Sequence, residues 1–349
     1  MTPHPAPALP LAAVAFVCML ALTGLSTHAL RTTPLDSYDL WDGRMQTSYE
    51  AGFEAAMPLN DLAVTSIAAL KYAVFGQAQT GAVVGKDGWL FTAEEFTTTP
   101  ALGANLGRAA DEIARVHGVL AQRGVHLIPV IVPDKAEVHR AHLHRPPPAQ
   151  ITLRRPALMA LLEARGITAL DAFDVLGAPA LAQTAFLKDD THWSPHGARA
   201  VARQIAAHHA TLDIALPTAA VTTQQSAPVD FDGDLLNFVP TGALRAAFGP
   251  AQHQIDVFTT TVQSAAGLLG AQSAAVALVG TSFSAKPQWN FCGFLQDALR
   301  AEVVNFATQG QGPFAPMHAY LASAAFRDTP PATVVWEIPA RYTSKDMTR

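Results

Sequence analysis

Short apolar runs alternate with amphipathic stretches along most of the chain after Arg31. Residues 126–132 (HLIPVIV) form a nearly continuous apolar run, which is typical of a strand buried on both faces of a sheet. Residues 105–123 instead carry apolar side chains at the spacing of one helix face. This alternation predicts an α/β fold in which helices cover both sides of a mostly parallel sheet.

Other segments extend this pattern. Residues 85–91 predict a tight turn that enters an aromatic strand, because Asp-Gly favours positive φ. Three consecutive prolines make residues 140–150 a loop, and residues 156–165 are predicted to be helical. A short strand is expected to start in residues 167–170. Residues 217–250 are rich in Pro, Gly, Thr, Gln and Asp, and they predict a long ordered excursion from the sheet.

The composition indicates a folded protein and argues against some classes of binding partner. Of the 349 residues, 50% are hydrophobic and 15% are charged, so the chain can bury a substantial core. The net charge of −5 provides no general basic field for a phosphate backbone, which argues against a nucleic-acid partner. Since Cys18 lies in the N-terminal apolar run and Cys292 is the only other cysteine, we expect neither an intrachain disulfide nor a thiolate metal cluster.

The N-terminal segment predicts export. Residues 1–30 contain no Asp, Glu, Lys or Arg, and residues 11–25 are almost wholly apolar. A run of this length suits a secretory signal peptide and approaches the roughly 20 residues that span a bilayer. Residues 27–29 (THA) resemble a cleavage site. We therefore expect residues 1–30 to be a signal peptide or membrane anchor and residues 31–349 to form one domain, the alternative being a buried helix of a cytosolic protein.

The segment that is most informative about chemistry contains Asp190, Thr191 and His192. If this segment is extended, residues 190 and 192 project to the same side and place a carboxylate beside an imidazole. Ser194 is a good N-cap and Pro195 a good first helical residue, so a helix is expected to start there. The pair would then lie at a strand-to-helix junction on the rim of the sheet. An Asp-x-His pair on a solvated turn is the alternative.

A second element has the pattern of a nucleophile on a strand-turn-helix connection. An apolar run over residues 274–279 ends at Gly280, and Ser282 follows it before a helical pattern. Backbone N–H groups at such a turn can stabilise an oxyanion, and a serine becomes nucleophilic when an imidazole, oriented by a carboxylate, takes its proton. Ser282, His192 and Asp190 supply these three roles, whereas simple helix capping is the alternative for Ser282 alone.

These motifs resemble those of a known family, the AlgJ/AlgX group of SGNH-hydrolase-like proteins. The group contains exported alginate O-acetyltransferases and relatives that act on other exopolysaccharides. Because the sequence shows no carbohydrate-binding module after Arg349, we expect the chain to resemble the AlgJ type more than the longer AlgX type. The resemblance extends over about residues 38–342 and is carried by residues 85–91, 190–193 (DTHW), 280–284 (GTSFS) and 336–341 (WEIPAR).

The resemblance implies a flavodoxin-like, three-layer SGNH-hydrolase fold in which Ser282 is the nucleophile, His192 the base and Asp190 its orienting partner. The serine follows the Asp/His pair in this sequence. This order matches the circularly permuted arrangement of the group rather than that of ordinary SGNH esterases. Asn305 and residues 310–313 (GQGP) are the candidates for the Asn and Gly blocks of SGNH enzymes.

The implied function is acetyl transfer through a serine acetyl-enzyme onto hydroxyl groups of an exported polysaccharide, alginate or a related polymer. The resemblance also implies a membrane-bound O-acyltransferase partner that supplies acetyl groups, and a periplasmic location, free or anchored in the inner membrane. No cofactor is expected. A carbohydrate acetylesterase with the same triad and a non-catalytic polysaccharide-binding subunit are the alternatives.

Two basic residues are candidates for binding an anionic sugar. Lys135 follows the end of the strand predicted at residues 126–132, and a solvated charge is its alternative. Arg341 follows a strand predicted over residues 333–338 (TVVWEI), and a buried structural ion pair is its alternative.

No metal site is predicted. Three histidines crowd beside the prolines, but no spaced partner completes a tetrahedral set, so we expect them in an exposed loop. Trp193 is expected to pack and orient His192 rather than to bind sugar. The three histidines are His139, His142 and His144.

Overall fold

The structure, a computed structural model, describes residues 16–19, 60–263 and 275–345. Its strands are β1 (Ala82–Val84), β2 (Leu90–Thr92), β3 (His126–Val132), β4 (Leu170–Asp171), β5 (Ala220–Phe231), β6 (His253–Gln263), β7 (Val276–Val279), β8 (Val303–Asn305) and β9 (Thr333–Pro339). Its labelled α-helices are α1 (Asn60–Phe75), α2 (Leu102–Gln122), α3 (Lys135–Val138), α4 (Ala149–Glu163), α5 (Phe173–Leu176), α6 (Pro195–His209), α7 (Arg245–Phe248), α8 (Ser282–Ala285), α9 (Phe291–Leu299), α10 (Phe314–Ala322) and α11 (Ala324–Asp328).

Two compact units divide the chain. The smaller unit takes Val239–Gly249 and the chain up to Phe75, and within it α1 contacts α7 and the 3-10 turn Gly242–Leu244. The larger unit takes Gly76–Phe238 and the chain from Pro250 onward. The larger unit holds all the residues predicted to form the active site.

A five-stranded sheet forms the centre of the larger unit. Its strand order is β4-β3-β9-β7-β8, and all neighbouring strands are parallel. The longest pairing joins β3 to β9, from His126 opposite Thr333 to Val132 opposite Pro339. Because all the strands run in one direction, the ends of β3, β7 and β9 meet at one edge of the sheet, where α/β folds place ligands. The predicted α/β fold is confirmed.

Alternate residues of the central strands face two apolar clusters. In β3, Ile128 and Val130 belong to one cluster, whereas Leu127 and Ile131 belong to the other. The first cluster includes buried residues of α6 and α9, and the second includes buried residues of α2, α4 and α10. The sheet therefore lies between two layers of helices, as the three-layer fold requires.

Helix α6 begins as predicted. The hydroxyl oxygen of Ser194 accepts hydrogen bonds from the N–H groups of His196 and Gly197, both at 3.1 Å, and Pro195 is the first helical residue. These bonds satisfy two of the N–H groups that lack partners within the helix. Four apolar residues of this helix are fully buried in the first apolar cluster, namely Ala198, Val201, Ala202 and Ile205.

Helix α4 differs from its prediction. It starts seven residues before the predicted Pro156 and passes through that proline. Its first half is held by tertiary contacts, because the buried guanidinium of Arg154 forms an ion pair with the carboxylate of Asp134. The predicted strand at residues 167–170 is also shifted, since β4 starts only at the last of these residues.

The predicted excursion over residues 217–250 contains strand β5, which is one half of a long β-ribbon, and the other half, β6, follows the excursion. Strand β5 pairs with β6 in antiparallel fashion, and a register shift falls between Ser226 and Val229. Most side chains of β5 are exposed, so this strand has no continuous apolar face that sequence patterning could detect. Strand β5 leads into a 3-10 turn at Asp234–Phe238, whose first residue contacts Asp190.

No helix in the described parts of the chain has both the length and the apolar character that a membrane span requires. The predicted signal peptide or anchor over residues 1–30 lies outside the described residues, except for residues 16–19, which are helical.

Candidate active site

The predicted nucleophile lies on a short turn at the end of β7. After Gly280, Thr281 is the N-cap of α8, and its hydroxyl oxygen accepts a hydrogen bond from the N–H of Phe283 at 3.3 Å. Ser282 is the first helical residue and is partly exposed. Its own N–H has no acceptor among the residues that the structure describes, so this donor is free to face an oxyanion.

The Asp-His segment is not the extended strand that we predicted. An isolated antiparallel bridge between Phe186 and Trp193 closes a turn that contains Asp190 and His192. The Oδ1 atom of Asp190 accepts hydrogen bonds from the backbone N–H of His192 at 2.9 Å and from the His192 ring at 2.6 Å. The two side chains share a pocket because the aspartate bonds its own turn, a common alternative to regular structure for this residue.

The serine turn and the Asp-His turn meet in space. The Nε2 atom of His192 lies 2.7 Å from the Oγ atom of Ser282. A second hydrogen bond joins the two turns, since the indole N–H of Trp193 donates to the carbonyl of Phe283 at 3.1 Å. Trp193 is fully buried, in agreement with its predicted packing role. The His192 ring also stacks on Trp289 with 5.4 Å between ring centroids.

The electrostatics of this group are consistent with an ionised aspartate. Burial of Asp190 disfavours its charge, but hydrogen bonds and charge from His192 and a backbone hydrogen bond from Asp234 outweigh burial and lower its pKa. An ionised carboxylate only accepts hydrogen bonds, so the Nδ1 atom of His192 donates to it. The Nε2 atom of the neutral ring is then the acceptor for the hydroxyl of Ser282.

Lys135 lies in the interior, and the structure corrects both expectations for it. Its side chain is 0% exposed, and its ammonium donates to the backbone carbonyls of Leu90 (2.5 Å), Lys188 (2.9 Å) and Asp190 (2.9 Å). Burial lowers the pKa of Lys135 to about 8, against the opposing charges of Glu95 and Asp190. The three carbonyls use all three donors of the ammonium, so Lys135 supports the Asp190 turn instead of binding sugar.

Arg341 is buried beyond the end of β9. Its Nε atom lies 3.4 Å from the carboxylate of Glu94, and its guanidinium lies over the rings of Phe283 and Tyr342, at 5.4 and 4.9 Å from their centroids. These contacts agree with the structural ion pair rather than with sugar binding.

The histidines beside the prolines do not form the predicted exposed loop. His139 is buried with its ring centroid 4.1 Å from that of Trp89, and His142 stacks on the same indole at 4.6 Å. Burial lowers the pKa of His139 to about 3. His144 alone of the three is exposed. His139 and His142 therefore belong to the aromatic packing around Trp89.

The described residues contain one group of three potential metal ligands. Asp190, His192 and Asp234 place their ligand atoms within 4.8 Å of one another. Hydrogen bonds from the backbone N–H groups of His192, Asp234 and Thr191 already engage both carboxylates. The arrangement is therefore accounted for without an ion, and the absence of a metal stays a prediction.

The candidate Asn block lies beside the serine turn. The side-chain amide of Asn305 donates to the carbonyl of Ser284 at 2.7 Å, and its oxygen accepts from the N–H of Ala307 at 3.0 Å. The N–H of Thr308 donates to the carbonyl of Gly280 at 3.1 Å. Asn305 thus ties its loop to α8. Its assignment to the Asn block of SGNH enzymes stays a prediction, as does that of residues 310–313 to the Gly block.

Comparison with protein families connects this geometry to a known group. Residues 82–340 match the family described as an SGNH hydrolase-like domain, acetyltransferase AlgX. The chain belongs to this family. The match includes both turns of the site, and it confirms the predicted SGNH-hydrolase-like fold and the resemblance to the AlgJ/AlgX group.

Individual AlgX-family relatives are similar over most of this chain. The probable alginate O-acetylase AlgJ of Pseudomonas aeruginosa is 37% identical over 343 residues, which cover 92% of this chain and 86% of the relative. The solved O-acetyltransferase domain of Pseudomonas putida AlgJ has a TM-score of 0.69 and 34% identity, over 77% of this chain and 95% of that one. Pseudomonas aeruginosa AlgX has a TM-score of 0.58 and 25% identity, over 76% of this chain and 63% of that one.

Sequence reasoning missed a second carboxylate beside the histidine. The N–H of Asp234 donates to Asp190 at 2.9 Å, and the Oδ1 atom of Asp234 accepts from the N–H (2.8 Å) and hydroxyl (3.0 Å) of Thr191. Its Oδ2 atom lies 3.5 Å from the Nδ1 atom of His192 and 3.8 Å from the ammonium of Lys286. Asp234, which follows strand β5 of the β-ribbon, therefore stabilises the Asp-His turn through hydrogen bonds.

Gly233 permits this close approach. A Cβ atom at this position would overlap the carbonyl oxygen of Asp189, and the N–H of Leu235 donates to that same oxygen at 3.1 Å. The acidic, glycine-containing sequence of residues 230–234 (DFDGD) is the signal that could have identified this segment.

A third carboxylate lies beneath the serine turn. Glu337 in β9 is 0% exposed, and burial raises the pKa of its carboxyl to about 7, although hydrogen bonds from Thr281 and Ser284 and the charge of Arg341 lower it. A glutamate in an apolar strand (TVVWEIP) is the signal that could have indicated its importance, since such residues are rarely buried without a partner.

Proposed function

We propose that this AlgX-family acetyltransferase moves acetyl groups through Ser282 onto hydroxyl groups of an exported polysaccharide, alginate or a related polymer. The observation that carries this proposal is the position of His192, whose ring bridges the hydroxyl of Ser282 at 2.7 Å and the carboxylate of Asp190 at 2.6 Å. This is the arrangement of a nucleophile, its base and the group that orients the base. The AlgJ relatives carry the names probable alginate O-acetylase and O-acetyltransferase domain, which supports the choice of acyl group and acceptor.

In the first half-reaction, the Oγ atom of Ser282 attacks the carbonyl carbon of the acetyl donor while its proton moves to the Nε2 atom of His192. The negative charge of Asp190 stabilises the imidazolium that forms. The free N–H of Ser282 at the start of α8 supplies one donor for the oxyanion. His192 then returns the proton to the leaving group, and the acetyl group stays on Ser282 as an ester.

In the second half-reaction, a sugar hydroxyl attacks the acetyl carbonyl and gives its proton to His192. The bond between the acetyl carbon and the Oγ atom breaks, and the proton on His192 restores the hydroxyl of Ser282. The product is an O-acetylated sugar. Hydrolysis would follow the same steps with water in place of the sugar, so the acceptor that reaches the acyl carbon decides between transferase and esterase.

The cellular setting belongs to the same proposal. The apolar, uncharged residues 1–30 support export to the periplasm, with the segment either removed or retained as an anchor. Acetyl groups would then have to cross the membrane, which supports a membrane-bound O-acyltransferase as the partner that supplies them. The same setting brings the enzyme to a polysaccharide that is being exported.

Trapping the acyl-enzyme tests the chemistry. The purified full-length chain is incubated with 4-nitrophenyl acetate, and mass spectrometry of its peptides assigns the acetyl adduct. We expect the adduct on Ser282 and none in a Ser282→Ala variant. Adding a mannuronate oligosaccharide should convert the adduct into acetylated sugar faster than acetate is released to water. Acetate release alone would favour an esterase, and an adduct elsewhere would overturn the role of Ser282.

Complementation in cells tests the non-catalytic alternative. A Ser282→Ala variant that still supports full acetylation of the polymer would favour a polysaccharide-binding subunit. Loss of acetylation with normal amounts of the variant protein supports catalysis by this chain.

A further inference from the structure

Glu337 lies directly beneath the turn that carries Ser282. In the sheet, β9 is the neighbour of β7, and Trp336 is paired with Val279, the last residue of β7. Glu337 is therefore the residue of β9 that comes alongside Gly280, where the chain leaves the sheet for the serine turn. Because it is wholly buried, its carboxylate can act only on protein groups.

The carboxylate binds the serine turn on both sides of the nucleophile. It accepts hydrogen bonds from the N–H of Thr281 at 2.7 Å, from the hydroxyl of Thr281 at 3.0 Å and from the hydroxyl of Ser284 at 3.1 Å. The residue before Ser282 and the residue two positions after it are thus tied to one rigid strand. Since the hydroxyl oxygen of Thr281 also caps Phe283, the whole first turn of α8 depends on this anchor.

Gly280 makes room for the carboxylate. A Cβ atom at position 280 would lie 2.5 Å from the Oε2 atom of Glu337 and 2.9 Å from its Cβ atom. Gly280 therefore has two roles. It permits the turn after β7, and it lets the carboxylate of Glu337 in the neighbouring strand reach the N–H of Thr281.

A purely structural role is a poor account of this residue. Burying a carboxylate destabilises a fold unless its hydrogen bonds compensate, and an apolar side chain in a central strand would fill the same space at lower cost. All three of its donors belong to the serine turn. The hydrogen bonds of the acid therefore all act on the turn that carries the nucleophile.

We propose that Glu337 is a positioning residue for the reaction, which fixes the Thr281–Ser284 turn so that the Oγ atom of Ser282 stays within hydrogen-bond reach of His192. It touches neither acetyl donor nor acceptor and acts through Thr281 and Ser284. The inference rests on the proposed nucleophilic role of Ser282.

Steady-state transfer of acetyl groups from 4-nitrophenyl acetate to a mannuronate oligosaccharide, catalysed by the full-length chain, tests this inference. At pH 8, where the carboxyl of Glu337 is ionised, Glu337→Gln keeps the shape of the side chain but replaces one acceptor oxygen by a donor, so it cannot accept all three hydrogen bonds. We expect kcat to fall by about 10- to 100-fold, since small misplacements of reacting groups have effects of this size, while KM changes by no more than about twofold. Ile338→Val, one residue along the same buried strand, is the matched control for packing, and it should keep kcat near the wild-type value.

Thr281 provides a test that keeps the buried acid in place. Thr281→Val removes the hydroxyl link, and we expect about a tenfold loss of kcat, whereas Thr281→Ser retains the hydroxyl and should lose much less. If Glu337 acts through Thr281, the Glu337→Gln/Thr281→Val double variant should lose less than the product of the two single effects. If Glu337→Gln does not fold, the contrast between valine and serine at position 281 decides the question.

The outcomes separate this inference from the proposed function. If wild-type transfer does not depend on Ser282, as judged by Ser282→Ala, the proposed function fails. If transfer depends on Ser282 but Glu337→Gln and Thr281→Val both keep wild-type kcat, the positioning role of Glu337 is overturned. A loss of kcat in Glu337→Gln that Ile338→Val matches would show that packing, and not the anchor, is responsible.

Discussion

The Nε2 atom of His192 lies 2.7 Å from the Oγ atom of Ser282, although 90 residues of chain separate them. A second bond, from the indole of Trp193 to the carbonyl of Phe283, repeats this junction one residue further along each turn. Because two hydrogen bonds join adjacent pairs of residues, they fix the relative orientation of the two turns as well as the distance between them. The two turns are therefore held to each other by two hydrogen bonds.

Removal of any of the three groups should remove most of the activity. We expect Ser282→Ala and His192→Ala each to lower kcat by at least about 1,000-fold, and Asp190→Asn to have an effect of about 10⁴-fold because it favours the wrong imidazole tautomer. The Ser282→Ala/His192→Ala double variant should be no slower than Ser282→Ala, since the two groups act in one step. Acetyl transfer to oligosaccharide measures the effects, and additive losses would argue against a shared step.

Substitution of Asp234 should lower activity, because Asp234 stabilises the turn that contains Asp190 and His192. Asp234→Ala removes the acceptor of both Thr191 hydrogen bonds, and we expect kcat to fall by about 10- to 100-fold with little change in KM. Asp234→Asn keeps an acceptor oxygen and should lose less. Asp230→Ala, whose carboxylate instead pairs with Gln254 in the ribbon, is the matched control. Equal activity of all three variants would exclude a positioning role for Asp234.

Gly233 should tolerate no side chain. In Gly233→Ala the new methyl group would overlap the carbonyl of Asp189, so we expect the free energy of unfolding to fall by about 1–3 kcal/mol and the activity to fall with it. Gly118→Ala is the control, because no atom lies within 4 Å of the added carbon in α2, and it should stabilise the protein by about 0.5–1 kcal/mol. Urea denaturation measures both, and a harmless Gly233→Ala would contradict the close approach of the two segments.

Lys135→Met should act on stability and not on sugar binding. The substitution leaves the carbonyls of Leu90, Lys188 and Asp190 without their donor, and we expect a loss of about 3 kcal/mol or more of unfolding free energy. Lys86→Met, at an exposed lysine that also reaches a backbone carbonyl, should stay within about 0.5 kcal/mol of wild type. A stable Lys135→Met protein with weakened binding of an anionic oligosaccharide would restore the sugar-binding role.

The buried carboxyl of Glu337 should make stability depend on pH. Its pKa in the folded protein is about 7, above the ordinary 4.5, so the folded state keeps a proton that the unfolded state releases. The contribution of this group to stability is therefore full below about pH 4.5 and declines until about pH 7. Glutamine does not titrate, so the stability of Glu337→Gln relative to wild type should rise by about 2.5 kcal/mol between pH 5 and pH 8. Unfolding curves at several pH values measure this difference, and a difference that does not vary with pH would contradict the raised pKa.

Local patterns in the sequence were sufficient to predict the main elements and to choose the candidate catalytic residues. The seven apolar residues of β3, the Ser194-Pro195 start of α6 and the Gly-Thr-Ser turn each depend on side chains within a few positions of one another. Periodicity and capping act over that range, which is why these predictions hold. The choice of Ser282, His192 and Asp190 followed from residue chemistry and from the resemblance to a family with the same motifs.

Long-range packing decided what these patterns could not show. Lys135 looks like an ordinary charged residue in sequence, and the apolar strand around Glu337 does not reveal its partners. The roles of both residues come from burial and from partners about 55 residues away along the chain. Asp234 reaches the histidine only because a mostly exposed ribbon folds back on the sheet. The physical reason is that chain periodicity records which face of an element is apolar, whereas the partners of a buried charge depend on which distant segments the completed core brings into contact.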